Sequence, residues 1–152
     1  MNIYFSCAIT GGRQDQKIYQ NLVDALIAAG HEVPTAKLSR PEVVEEEAVI
    51  SPQLVYQRDV DWVRDCDALV AEVTTPSHGV GYEIALAIEY GKPVFCCYRS
   101  GERVSKMITG NTSPNLRLCS YKIWDELSGY LCAFLEEVAG DYAGLPESSR
   151  DH

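Results

Sequence analysis

Apolar and polar positions alternate in blocks along the chain, and the blocks predict strands and helices in turn. Continuous apolar runs, such as Ala68 to Val73, are typical of parallel strands that are buried on both faces. A shorter run near Glu32 predicts a further strand. The predicted strands cover residues 2–6, 32–35, 68–73, 93–98 and part of 116–123.

The segments between these strands have apolar residues at helical spacing. Ser51 and Pro52 are typical of an N-cap followed by a first helical position. The predicted helices cover residues 15–29, 51–65, a segment that has Glu83 in its first turn and continues toward Gly91, and 125–138. The apolar side chains expected to face the core from the first two helices are Ile18, Leu22, Leu26 and Ala29, then Leu54, Val55, Tyr56, Trp62 and Val63.

The alternation of strands and helices predicts an α/β fold: a doubly wound, five-stranded parallel sheet of the Rossmann or flavodoxin-like type, with strand order 2-1-3-4-5. We expect one domain over residues 1–139 and a flexible C-terminal tail over 140–152. Residues 37–50, which include the acidic run Glu45 to Glu47, are predicted to form a loop with at most a helical turn.

Charge, hydropathy and cysteine content indicate which partners and which compartment the protein has. The formal net charge of −9 argues against binding to nucleic acid or to an anionic membrane, since both need clustered Lys and Arg. No apolar run approaches the roughly 18 residues that span a bilayer, and no secretory leader precedes the first strand. The six cysteines form no C-x-x-C pair. They predict free thiols, no metal site and a cytoplasmic location. No cofactor is expected.

The most informative segment runs from Thr74 to Glu83. A buried strand there leads through a glycine-bearing turn into a helix, which places Glu83 in the first helical turn. Free amides at the start of a helix, beside Ser77 and the small residues Gly79 and Gly81, can receive a phosphate. A carboxylate beside a phosphate site indicates chemistry on a phosphorylated sugar.

The predicted strand order brings a second loop to the same place. In open α/β sheets, ligands bind where the strand order reverses, which is here between the first and third strands. The turn after the first strand therefore lies beside the turn before Glu83. Its residues are Cys7, Ala8, Ile9, Thr10, Gly11, Gly12 and Arg13.

Each candidate also has a plainer interpretation. Gly11 and Gly12 match neither dinucleotide nor P-loop fingerprints and are equally typical of a turn. Glu83 could equally be a solvated acid near a helix N-terminus. Asp59 and Asp61 lie two residues apart on one helix, so at most one of them faces the pocket. Tyr4 is either a core residue or a hydroxyl that reaches the pocket.

Five segments together carry a family resemblance: Tyr4 to Arg13, Gln57 to Asp59, Val70 to Thr74, Pro76 to Glu83 and Ser105 to Ile108. The chain resembles the 2'-deoxynucleoside 5'-phosphate N-hydrolases of the nucleoside 2-deoxyribosyltransferase superfamily over residues 2–138. The resemblance implies the same doubly wound fold. It also implies that Glu83 attacks the anomeric carbon, that Asp59 assists the leaving base, and that Tyr4 positions sugar and nucleophile.

The resemblance also implies the remaining contacts. Tyr19 lies near the ligand, and phosphate is held by Ser77, by the amides from Gly79 to Gly81 and by the loop from Cys7 to Arg13. A homodimer is implied, in which Ser105, Lys106 and Met107 complete the neighbour's site. Alternatives are a deoxyribosyltransferase, a CMP-type ribonucleotide N-hydrolase, and a nucleotide sensor without turnover.

Overall fold

A computed structural model describes residues 1–9, 15–40 and 49–143. Three predicted features lie outside the described residues. They are the candidate binding residues Thr10 to Arg13, the acidic run Glu45 to Glu47, and residues 144–152 of the predicted tail.

Four parallel strands form the sheet, in the order β1-β2-β3-β4. Their runs are almost wholly apolar and β1, β2 and most of β3 are buried, as expected for strands covered on both faces. The strands are β1 (Ile3–Ser6), β2 (Ala68–Glu72), β3 (Val94–Arg99) and β4 (Leu116–Tyr121).

Helices connect the strands and cover the sheet. They are α1 (Gln16–Ala28), α2 (Pro52–Asp65), α3 (His78–Glu89), the short α4 (Lys106–Thr109) and α5 (Trp124–Ala143), with a 3-10 helix at Ala36–Ser39. The predicted cap of α2 is confirmed, because the Ser51 hydroxyl accepts from the Leu54 amide at 3.3 Å and Pro52 follows it. The last helix runs to Ala143, so residues 140–143 continue it and are not part of a tail.

The sheet has a core on each face, because successive side chains of a strand point to opposite sides. Phe5, Val70 and Phe95 pack on one side with α1 and α5. Tyr4, Leu69 and Cys96 pack on the other side with α2 and α3. This second core lies beneath the candidate active site.

The predicted five-stranded order is not confirmed, since four strands form the sheet in the part of the chain that the structure describes. The segment near Glu32 contributes one parallel bridge to Asn2, on the free side of β1. Pro34 has no amide hydrogen, and a turn begins there, so pairing cannot extend. The carboxyl ends of β1 and β2 are nevertheless adjacent, as the predicted pocket requires.

The prediction for the buried side of α2 was wrong at two positions. Leu54 and Tyr56 are 64% and 56% exposed, whereas Val63 is fully buried. Tyr56 lines a cavity, where its side chain faces open space, whereas Leu54 is exposed on the surface of the helix. Apolar spacing alone does not distinguish a core face from a cavity wall. On α1, Ala29 follows the last helical residue and is exposed.

Candidate active site

A cavity of about 790 Å³ opens at the carboxyl ends of β1 and β2, between α2 and α3. We name it the active-site cavity. It combines residues from three separate parts of the chain, as the predicted strand adjacency requires. The polar and small residues that line it are Cys7, Asp59, Ser77, His78, Gly79 and Glu83.

Glu83 is the sixth residue of α3 and so lies in the second helical turn, which corrects the predicted first-turn position. The helix starts earlier than expected because the Ser77 hydroxyl accepts from the Val80 amide at 3.5 Å and caps it. The carboxylate therefore lies one turn beyond the helix start. A ligand group bound at the first amides of α3 would therefore lie about one helical turn from the Glu83 carboxylate.

The Glu83 carboxylate is held from below by β1. The Ser6 hydroxyl donates a hydrogen bond of 2.5 Å to one of its oxygens. Burial raises the pKa of Glu83, hydrogen bonds from Ser6 and Tyr4 act in the opposite direction, and the charge of Asp59 adds to the rise. Such a carboxylate is partly removed from water and held in orientation by Ser6, which suits a nucleophile.

Tyr4 lies beside Glu83 on the same face of β1 as Ser6. Its ring is 1% exposed. Burial, followed by the charge of Glu83, raises the pKa of Tyr4 far above its ordinary value, so the phenol keeps its proton. Its hydroxyl lies toward the Glu83 carboxylate, and no described residue holds it in a well-formed hydrogen bond. A buried donor in this state is available to a group that enters beside Glu83.

Asp59, and not Asp61, lines the active-site cavity, which confirms that one acid of this pair faces it. Asp59 accepts from the neighbouring Arg58 at 2.8 Å. The Arg58 guanidinium also lies 5.0 Å from the centre of the Trp62 ring. Asp61 instead pairs with Arg64 at 2.9 Å on the outer surface.

The start of α3 separates the active-site cavity from a second cavity, also of about 790 Å³. Ser77, His78 and Val80 line both. A side-chain Cβ built at Gly81 would meet nothing within 4 Å, so packing within the chain does not explain this glycine. Glycine in a helix costs about 1 kcal/mol relative to alanine.

The remaining predicted site residues are distributed as follows. Cys7 and Ile9 line the active-site cavity, and Ala8 is fully buried between them. Ser105 and Met107 line the second cavity with Gly81, and Lys106 is exposed beside them. Tyr19 lies on the opposite face of the sheet, with its ring 6.3 Å from that of Phe5.

The outer wall of the active-site cavity is apolar and aromatic. The rings of Tyr56 and Tyr82 lie 6.3 Å apart and are tilted against each other. A planar heterocycle is well suited to such a surface. The other apolar residues of this wall are Ile50, Pro52, Val55, Val60 and Leu86.

Sequence reasoning missed Ser6 as the partner of Glu83, and it missed two buried acids, Asp15 and Glu72. A signal was present for Glu72, because it is a lone carboxylate within an apolar strand. None was present for Ser6 except its place at the end of β1. Its contact with Glu83 joins residues 77 positions apart.

Two negative findings apply to the described residues, 1–9, 15–40 and 49–143. No group of three or more His, Cys, Asp or Glu there could hold a metal ion. No helix there is long and apolar enough to cross a membrane. The six cysteines are all free thiols.

Comparison with known sequences identifies similar proteins. The family described as nucleoside 2-deoxyribosyltransferase matches residues 3–140. The chain is 34% identical over 155 residues to a 5-hydroxymethyl-dUMP N-hydrolase of Rattus norvegicus, covering 99% of this chain and 92% of that protein. It is 39% identical over 142 residues to the protein of the same name from Danio rerio, covering 91% and 98% of the two chains.

Two solved structures share the fold. A CMP N-glycosidase of Clostridium botulinum superimposes with a TM-score of 0.68, at 24% identity, over 88% of this chain and 99% of that one. A 2-deoxyribosyltransferase of Bacillus psychrosaccharolyticus superimposes with a TM-score of 0.62, at 20% identity, over 88% and 96% of the two chains.

Proposed function

The chain belongs to the nucleoside 2-deoxyribosyltransferase family, and from this premise we propose that it hydrolyses the N-glycosidic bond of 2'-deoxynucleoside 5'-monophosphates. The products are a free nucleobase and 2-deoxyribose 5-phosphate. The relatives that match nearly the whole chain are named as N-hydrolases of a deoxynucleotide. The single observation that carries the proposal is the position of Glu83, fixed by Ser6 in a cavity that begins at a capped helix N-terminus.

In the proposed reaction, a Glu83 oxygen attacks the anomeric carbon as the bond to the base breaks. A glycosyl ester forms, and water then cleaves it to regenerate the carboxylate. The transition state resembles an oxocarbenium ion, so the adjacent negative charge stabilises it. Removal of Glu83 from water favours the attack, because little hydration is lost on the way to the sugar.

Asp59 is the proposed acid that assists the leaving base. It lines the same cavity as Glu83, and on α2 it follows Tyr56 by three residues, on the helix that contributes to the aromatic wall where the base is proposed to bind. Two carboxylates with different neighbours can divide the roles of nucleophile and acid. Arg58 neutralises Asp59 in part, since it donates to it directly.

The phosphate is proposed to bind at the start of α3, against Ser77 and the amides near Gly79. The first amides of a helix have no partner within the helix and attract anions. Glu83 lies one turn further on, which suits the separation between a 5'-phosphate and the anomeric carbon. The turn from Cys7 to Arg13 is proposed to close over the same group.

The proposal is tested by incubating the protein with each 2'-deoxynucleoside 5'-monophosphate, with 5-hydroxymethyl-dUMP, and with the ribonucleotides, and detecting free base by chromatography. Glu83→Gln keeps the size of the side chain and removes the nucleophile, so base release should fall about 10³-fold or more. Glu89→Gln, on the exposed end of the same helix, is the matched control and should retain activity.

Each alternative has its own outcome in this assay. Base release from CMP in preference to the deoxynucleotides would point to a ribonucleotide N-hydrolase. Release only when a second base is supplied would identify a transferase. Binding without any release would indicate a nucleotide sensor.

We also propose that the protein acts as a homodimer. In the described part of the chain, Leu54, Tyr56, Tyr82 and Met107 are large apolar residues that are more than half exposed. Tyr56 and Tyr82 line the active-site cavity, and Met107 lines the second cavity. Exposed apolar side chains grouped in this way are typical of a surface that a partner covers.

The dimer proposal includes a contribution of Ser105 to the neighbour's phosphate site, and mixing two variants tests it. Glu83→Gln supplies an intact Ser105, and Ser105→Ala supplies an intact Glu83. If Ser105 acts across the interface, mixed dimers regain one complete site per dimer and nucleotide hydrolysis recovers. If Ser105 acts within its own chain, through the cavity it shares with Ser77, mixing restores nothing.

The cytoplasm is the proposed location. Free thiols at all six cysteine positions suit a reducing compartment. A nucleotide substrate and a net charge of −9 are consistent with that environment.

A further inference from the structure

A buried polar cluster lies behind the active-site cavity, on the opposite face of the sheet from Glu83. We name it the loop anchor. Its two acids are almost wholly inaccessible, since Glu72 is 0% and Asp15 is 2% exposed. The residues of the loop anchor are Asp15, Glu72, Thr74, Thr75, Arg99 and Tyr121.

Glu72 is the acceptor at the centre of one half of the loop anchor. The Thr74 amide donates to it at 3.2 Å, the Thr74 hydroxyl donates to its other oxygen, and the Tyr121 hydroxyl donates at 3.0 Å. The Thr74 hydroxyl oxygen in turn accepts from the Arg99 amide at 2.8 Å. Thr74 is therefore held by the ends of β2, β3 and β4 together.

Asp15 is the acceptor of the other half. The Thr75 hydroxyl donates to it at 3.2 Å, and the Arg99 guanidinium pairs with it directly. Asp15 is also the residue at which α1 begins, immediately after residues 10–14. This half of the loop anchor joins the loop after β2 to the start of α1.

The segment that the loop anchor holds is the one that leads to the start of α3. Thr74 and Thr75 precede Ser77 by three and two residues, and Ser77 caps the helix. Burying two carboxylates in a sheet protein is unfavourable, and an apolar cluster of the same shape would often be as stable. Hydrogen bonds are directional, so they fix the orientation of this loop's backbone, which apolar packing does not.

We propose that Glu72 is a positioning residue for the substrate phosphate: it fixes the loop from Thr74 to Ser77 so that the start of α3 faces the 5'-phosphate. The inference rests on the proposed function. Glu72 does not touch substrate and acts through Thr74. Without the two bonds from Thr74 to Glu72, the loop keeps only the bond from the Arg99 amide to Thr74 and the bond from Thr75 to Asp15. The amides at the start of α3 then lose part of their alignment.

The nucleophile is held independently. Ser6 and Tyr4 approach Glu83 from β1 on the other face of the sheet, and neither belongs to the loop anchor. A change at Glu72 therefore affects the binding of the phosphate and leaves the chemical step intact. A role confined to folding stability would lower the melting temperature and leave both kinetic constants unchanged.

The test is Glu72→Gln, assayed with a deoxynucleoside monophosphate and with the matching deoxynucleoside. Glutamine has the same size, but one carboxylate oxygen is replaced by an NH₂ group, which cannot accept from Thr74 or Tyr121. KM for the nucleotide should rise about 5-fold or more, the factor expected for loss of one hydrogen bond. The value of kcat should stay within about 2-fold, and KM for the nucleoside should not change. Glu89→Gln is the exposed control and should change neither constant.

Hydrogen exchange of the peptide covering residues 73–81 provides a readout that does not depend on activity. Faster exchange there in Glu72→Gln, with unchanged exchange elsewhere in the sheet, supports the positioning role. If the wild-type protein releases no base, the proposed function fails, and this exchange measurement alone decides the role of Glu72. An unchanged KM in an active enzyme, or unchanged exchange, overturns the inference.

Tyr121→Phe keeps the inference testable if Glu72→Gln does not fold. It removes a single donor to Glu72 and leaves the buried shape almost unaltered. KM for the nucleotide should rise in the same direction, by about 2-fold to 5-fold, with kcat unchanged. A folded Tyr121→Phe protein with the wild-type KM would overturn the inference.

Discussion

Ser6 donates a hydrogen bond of 2.5 Å to Glu83, and so a residue at the end of the first strand fixes a carboxylate 77 positions later in the chain. The bond joins the sheet to the helix that carries the proposed nucleophile. It also opposes the effect of burial on the pKa of Glu83, because a donor to the carboxylate favours its charged form.

The first prediction concerns this bond. Glu83 must be ionised to attack, so activity falls as pH decreases through its raised pKa. Ser6→Ala removes a donor to the charged form, and the acid limb of kcat/KM should move to higher pH. Steady-state assays from pH 4 to pH 8 check this, with Ser128→Ala on α5 as a control. An acid limb at the wild-type position would show that Ser6 does not set the pKa of Glu83.

The second prediction separates the two acids of α2. Asp59→Asn should lower kcat about 10²-fold, the loss typical of removing a general acid, because the departing base is no longer assisted. Asp61→Asn is the matched control on the same helix and should stay near wild type, since Asp61 pairs with Arg64 on the surface. Equal effects of the two substitutions would contradict the assignment of Asp59.

The third prediction compares two helix caps. Ser77 and Ser51 each accept from an amide three residues later, at the starts of α3 and α2. Each change to alanine should cost about 1 kcal/mol of stability. Only Ser77→Ala should also raise KM for the nucleotide, because only this cap lies at the proposed phosphate site. Thermal melts and KM values for both variants check this, and a raised KM in both would count against it.

The fourth prediction is a pH dependence of stability. Burial raises the pKa of Glu72 to about 7, with the nearby charge of Asp15 contributing to the rise, while bonds from Thr74 and Tyr121 lower it. A carboxyl group with a raised pKa in the folded protein stabilises the fold when protonated. Its contribution is complete below the unfolded pKa and is lost as pH rises through about 7.

The glutamine of the Glu72→Gln variant cannot ionise, so the variant does not lose this stability as pH rises. Between pH 5 and pH 8, the wild-type protein should therefore lose about 2.5 kcal/mol of stability relative to the variant. Denaturant unfolding at both pH values gives the difference. A constant difference across this range would show that Glu72 titrates normally.

Much of the fold followed from local patterns. The apolar runs predicted β1 to β4 to within a residue or two, and Ser51 with Pro52 predicted the start of α2. The segment near Glu32 resembled a strand, but Pro34 limits it to a single bridge. The segment stops pairing because Pro34 lacks the amide hydrogen that the next ladder bond to β1 would need.

The site was predicted less completely than the fold. The turn after β1 was placed beside Ser77 and Glu83 because adjacent parallel strands end at one edge of the sheet, whereas Asp59 was assigned through the family resemblance. The contact of Ser6 with Glu83 could not be read from sequence, since it depends on how α3 packs over β1. The exposure of Tyr56 was also missed, because a cavity wall and a core face have the same apolar spacing.

The aromatic wall of the active-site cavity has a consequence for how this enzyme could diverge. Tyr56 and Tyr82 are 56% and 53% exposed and contribute little to the two cores, whereas Tyr4 is embedded in one of them. Mutations in the wall therefore cost little folding free energy, while mutations around the nucleophile cost more. With the base at the wall, as proposed, substitutions there can change the preferred base without altering the residues around Glu83.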